Sequence, residues 1–147
     1  MTSGHVAPVT TDRWCIPDEA RGNHRLARLE IQANRWPSTQ LGVGVVSSNV
    51  VDAAVDLANE FDISLMLIAS RRQVDAGEFG GGYVDAMTPA DLVRRVHQRG
   101  GAERVVICRD HGGPWQGAAG IAGSADIAMA DALSSFQADL EAGFDVL

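Results

Sequence analysis

The sequence predicts a parallel α/β fold. From residue 41 onward, short Val-, Ile- and Leu-rich runs alternate with amphipathic stretches. The apolar runs are continuous rather than alternating, as in strands covered on both faces. Most of the amphipathic stretches open on a capping signal. Alternation of this kind implies parallel strands joined by right-handed crossovers. Two architectures satisfy it: an open doubly wound sheet, or part of a (β/α)8 barrel. With 147 residues the chain falls short of a whole barrel, which takes about 250.

The elements follow in order. Residues 1–40 form an N-terminal region: a polar arm with Pro8 and Pro17, then a helix over 18–35 carrying Leu26, Leu29 and Ala33 on one face, broken at Trp36-Pro37-Ser38. Residues 41–147 form the α/β unit. A strand is expected over 41–46. Asn49 is the expected cap of the next helix, with Asp52 three residues on and Ala54, Leu57, Ala58 and Phe61 as its buried stripe. A second strand falls at 63–69, followed by a Gly-rich loop at 77–83 that reads as a turn or lid and lacks GxGxxG spacing. Thr88-Pro89-Ala90-Asp91 predicts a capping box with proline at the first helical position; Leu92, Val93 and Val96 supply the buried side, and Gly100-Gly101 the stop. Val105-Val106-Ile107 predicts a third strand. Ser124 is the expected cap of a last helix burying Met129, Leu133, Phe136 and Leu140, with Gly143 after it and residues 144–147 opening a fourth strand.

Composition excludes several mechanisms. All 12 basic residues are arginine, so no lysine serves a Schiff base, a pyridoxal phosphate or a P-loop. Neither pyridoxal phosphate nor a nucleotide is therefore an expected cofactor. A formal net charge of −7 argues against nucleic acid as a partner. The imbalance lies in residues 41–147, with seven arginines against fifteen acids. Cys15 and Cys108 match no metal-binding spacing and read as reduced thiols. No run of 18 apolar residues and no leader-like N-terminus occurs, so a cytoplasmic protein without a membrane partner is expected.

In parallel α/β folds functional groups gather at the C-terminal ends of strands. Three polar clusters fall there: Ser47-Ser48-Asn49, Ser70-Arg71-Arg72-Gln73 and Asp110-His111. Ser47, Ser70, Arg71, Arg72 and Gln73 are candidate ligand-binding residues. The two arginines suit either a phosphate, through forked hydrogen bonds, or a solvated loop. Asp110 and His111 suit either a metal site, with His111 ligating and Asp110 moving protons, or a turn in which both satisfy the backbone. The glycines and proline that follow provide the turn such a site needs.

Four motifs in one order carry a resemblance: 67–74 (LIASRRQV), Gly81-Gly82-Tyr83, Met87-Thr88-Pro89-Ala90-Asp91, and Asp110-His111-Gly112-Gly113-Pro114. Together they resemble the N-terminal part of the non-catalytic subunit family of class II D-tagatose-bisphosphate aldolase, also called tagatose-6-phosphate kinase-like. The likeness covers roughly residues 26–147. It implies a partial (β/α)8 barrel of about three βα units plus the start of a fourth strand. It also implies a place in carbohydrate and sugar-phosphate metabolism, as an accessory subunit beside a catalytic, zinc-dependent aldolase subunit. Alternatives within the resemblance are a metal-dependent aldolase in its own right and a non-enzymatic sugar-phosphate-binding module. The family pattern matches Asp110 to a catalytic proton-transfer acid and His111 to a Zn2+ ligand. Ile68 stands where the family has Glu, Arg72 where it has Asn, and Asp85-Ala86 lengthens the spacing from Tyr to Met. Open sheet edges further predict self-association of the isolated chain.

Overall fold

In the computed structural model, residues 40–117, 120 and 123–147 are described. The arm and helix expected within residues 1–39 lie outside them. Six elements follow in the expected order: β1 (Gly42–Gly44), α1 (Ser48–Glu60), β2 (Leu65–Ser70), α2 (Pro89–Gln98), β3 (Val105–Asp110) and α3 (Ala125–Ala142), with 3-10 turns at Gly77–Phe79 and Pro114–Gln116. The three strands are parallel and lie in the sheet in chain order, β1-β2-β3. The fourth strand is reduced to a single parallel bridge between Cys108 and Val146, held by Arg109 N–H on the Val146 carbonyl at 2.8 Å.

The helices cover one face of this sheet. Leu65, Leu67 and Ala69 of β2 and Val105 and Ile107 of β3 join Val51, Val55, Ala58, Leu92 and Val96 in one core. Met66, Ile68, Val106 and Cys108 point the other way and belong to none of that packing. A doubly wound sheet has helices on both faces and a reversal of strand order. Neither occurs among the described residues. The apolar runs are continuous because both faces are covered to some degree: one meets the helices, and on the other Val106 and Cys108 are buried and Met66 and Ile68 half-buried. No described helix is long and apolar enough to cross a membrane.

Local starts and stops follow side-chain chemistry. The Thr88 capping box forms as expected, with Asp91 N–H on Thr88 Oγ1 at 3.2 Å and Thr88 N–H on Asp91 Oδ2 at 3.1 Å. Leu92, Val93 and Val96 are buried. In α1 the cap is Ser47, not Asn49: its hydroxyl accepts from Val50 N–H at 3.2 Å. The strand ends two residues early, so the helix starts early and Asp52 turns outward to Arg95. The buried stripe is Val51, Ala54, Val55 and Ala58, while Leu57 and Phe61 stay exposed. Both stripes share Ala54 and Ala58. The valine-bearing one wins because short side chains let the helix approach the sheet.

The correction is larger in α3. Ala128, Ala132, Ser135 and Asp139 are buried, whereas Met129, Leu133 and Leu140 are more than half exposed. Ser124 precedes the helix but makes no side-chain capping bond. The helix is turned by about one residue from the hydrophobic optimum, because two buried arginines need acceptors from its inner face.

Candidate functional site

At the C-terminal end of the sheet, Ser70 and Asp110 are register partners on β2 and β3. They sit side by side on the face away from the helices. His111 follows with a left-handed backbone, φ 52°, which folds its ring back so that Nδ1 lies 2.7 Å from Asp110 Oδ2. A histidine in this conformation is uncommon. The next residue, Gly112, lies where a Cβ would come to 2.5 Å from the Phe136 ring, so a side chain there would have to displace that ring. Asp110 and His111 are both more than half exposed. The pair can pass a proton or hydrogen-bond a hydroxyl, in competition with water.

The other sequence candidates part ways here. Ser47 is used by the α1 cap. Ser70 and Gln73 close a turn on each other: Ser70 N–H donates to Gln73 Oε1 at 2.7 Å, and Gln73 N–H reaches both Ser70 Oγ (3.3 Å) and the Ser70 carbonyl (3.0 Å). Arg72 is exposed. Arg71 is buried and points to the helix side of the sheet, toward α3. Its Nε donates to Ser135 Oγ at 2.7 Å and stands 3.3 Å from Asp75 Oδ2, and its guanidinium lies 5.1 Å from the centre of the Phe79 ring. Chain adjacency of Ser70, Arg71 and Arg72 therefore does not produce one site. It splits them between two sides of the sheet.

Arg109 was not singled out by the sequence, yet it anchors this region. It is buried and forks onto Asp139 through Nε and Nη2, while Nη1 donates to the carbonyls of Val74 (2.8 Å) and Ala69 (3.2 Å). Burial raises the Asp139 carboxyl above its ordinary value, and the Arg109 fork offsets this in part. A legible signal existed: Ser135 and Asp139 share one helical stripe with Ala128 and Ala132. The Gly-rich segment is a tight knot of turns rather than an open lid. Asp85 and Ala86 both adopt left-handed φ, and Met87 N–H on the Val84 carbonyl closes their turn at 2.8 Å. Asp85 then accepts from Ser48 Oγ at 2.5 Å, tying this turn to α1.

The resemblance implies a zinc ion, and the donors present decide whether one fits. A catalytic zinc needs three protein ligands. Among the described residues no three His, Cys, Asp or Glu side chains converge. Asp110 and His111 make two. Cys108, on the same face of β3, has its thiol pushed up to about 11 by burial and, secondarily, by Asp145, which keeps it protonated at neutral pH. The described residues do not fit a catalytic zinc.

No protein-family model matches the chain. No curated protein matches it either. A solved structure does. The fold is similar to the crystal structure of a probable tagatose 6 phosphate kinase from Sinorhizobium meliloti 1021, with a TM-score of 0.59 and 27% sequence identity. The match covers 73% of this chain and 27% of that one, so the chain spans about a quarter of the length of the protein it resembles.

Proposed function

We propose that the chain is an accessory, non-catalytic module of a class II tagatose-bisphosphate aldolase, built as the opening part of a (β/α)8 barrel and acting in sugar-phosphate metabolism. The observation that carries this reading is the 27%-identical structural likeness to a probable tagatose 6 phosphate kinase. Two features support it. The strands run in chain order with the described helices on one face, which is how a barrel wall begins. The ordered Gly-Gly-Tyr, Met-Thr-Pro-Ala-Asp and Asp-His-Gly-Gly-Pro motifs fall between the end of β2 and the first turn of α2 and at the end of β3.

Chemistry supports the accessory role. Without lysine, aldol cleavage through a Schiff base has no nucleophile in this chain. Among the described residues the Asp110–His111 pair lacks the third donor that a catalytic zinc requires. What the chain offers instead is surface: β1, an edge strand among the described residues, with Leu41 and Val46 exposed beside it, fit to be covered by another barrel segment from a catalytic aldolase subunit or a second copy. The test is to mix the full chain with a catalytic class II tagatose-bisphosphate aldolase subunit and measure sedimentation and the half-life of aldolase activity on warming. A stable complex with a longer half-life is expected. Separate sedimentation with an unchanged half-life refutes the accessory role.

A further inference from the structure

On the helix side of the sheet, away from Asp110 and His111, lies a cavity of about 310 Å³. It opens between the turn after β2, the loop at Gln116-Gly117 and the first half of α3, and its lining includes Arg71, Arg72, Asp75, Phe79, Gly117 and Asp131. The volume sits at the small end of ligand pockets. Arg71 is the informative residue. Only 2% of it is exposed, and its Nε is committed to Ser135 and Asp75. Its Nη1 is buried with no hydrogen-bond partner. A buried, charged donor left unmet costs more than a neutral one, so this nitrogen favours an acceptor.

The surroundings say what kind. Asp75 cannot turn to Nη1, because its carboxylate already receives Ser135 Oγ at 2.5 Å and Ala76 N–H at 2.8 Å as well as Arg71 Nε. Gly117 faces the end of the guanidinium: a Cβ there would lie 2.8 Å from Nη2 and 2.9 Å from Nη1. The Gly117 backbone therefore packs against the fork, with no side chain between them. Phe79 backs the guanidinium plane and holds it in place. Arg72, exposed and in no ion pair among the described residues, adds a second cation to the same lining. A planar guanidinium fork, pre-positioned and short of one acceptor, matches carboxylate and phosphate oxygens.

We propose that this cavity is a binding site for a small oxyanion, held by Arg71 at its base and Arg72 at its wall. It is independent of the aldolase reading, since it uses neither the strand-end pair nor the β1 edge. Asp131 works against the ligand and sets its affinity low.

The full chain is titrated with inorganic phosphate and, separately, with acetate at constant ionic strength, following heat release and melting temperature. Saturable binding of one of them is expected, and the preferred anion identifies the ligand group. Arg72→Gln, an exposed change that leaves the Arg71–Asp75–Ser135 network intact, should weaken it at least fivefold. Asp131→Asn should strengthen it severalfold. Asp110→Asn should leave it unchanged, which separates this site from the strand-end pair. No saturable binding of either anion, or equal binding by wild type and Arg72→Gln, overturns the proposal.

Discussion

Helices α2 and α3 dock on the same face of the sheet by opposite chemistry. Helix α2 buries Leu92, Val93 and Val96 and sends Arg95 and Arg99 outward to Asp52 and Asp56 of α1. Helix α3 buries Ala128, Ala132, Ser135 and Asp139 and leaves Ile127, Met129, Leu133 and Leu140 exposed. The first is held by apolar burial with charges at its rim. The second is held by a buried polar network, Arg109–Asp139 and Arg71–Asp75–Ser135, with its apolar stripe turned outward. The difference shows what overrides amphipathic patterning. An unpaired buried guanidinium is penalised by several kcal/mol in a low-dielectric interior, comparable to exposing two or three apolar side chains at about 1.5–3 kcal/mol each, and Ala128 and Ala132 keep apolar contact on the inner face. Once β3 places Arg109 under α3, the helix must present Asp139.

The largest expected effect breaks the polar side of this comparison. Asp139→Ala leaves the Arg109 fork buried without its carboxylate and should lower unfolding free energy by about 3–5 kcal/mol in urea melts. A loss near zero would mean that α3 is not docked through this pair. Next, two leucine truncations probe the apolar side. Leu92→Ala in α2 should cost about 2–5 kcal/mol, since Leu92 is fully buried. Leu133→Ala in α3, 62% exposed, should stay within about 0.5 kcal/mol. Equal losses would show that the α3 stripe is packed in solution, as in self-association, and a concentration-dependent melting temperature would identify that cause.

The smallest effect concerns the α2 cap. Thr88→Ala should cost about 1 kcal/mol. The Thr88 hydroxyl, then its backbone N–H and Arg94, hold the Asp91 carboxyl below its ordinary value. Because the folded value is the lower one, this contribution is present above about pH 4 and fades as pH falls through the folded value. Melting temperatures taken down to low pH should show this acid-side loss in wild type and a smaller one in Thr88→Ala. Identical pH profiles would remove Asp91 from the account of α2.

Much of this was legible in the chain. The α/β order, the parallel strands, the capping box at Thr88–Asp91 and the buried side of α2 each rest on short-range rules: apolar run length, cap chemistry and proline at the first helical position. The strand-end location of Ser70, Asp110 and His111 was legible for the same reason, since a parallel sheet brings strand ends together. The stripes of α1 and α3 were not. Each helix carries two overlapping candidate faces, and only the neighbours choose between them. Nor was it legible that Arg71 and Arg72 would share a lining on the helix side, apart from Ser70.

The sequence by itself determined the element order, the absence of lysine chemistry and the motifs that resemble the aldolase subunit family, because these depend on residue type and local spacing. Tertiary structure alone decided which side of each element is buried. It turned Arg109 and Arg71 inward to meet Asp139 and Ser135, committed Ser47 to a cap, and left one guanidinium nitrogen unpartnered beside a cavity. The physical reason is that burial and hydrogen-bond satisfaction are settled between residues tens of positions apart, where periodicity along the chain carries no information.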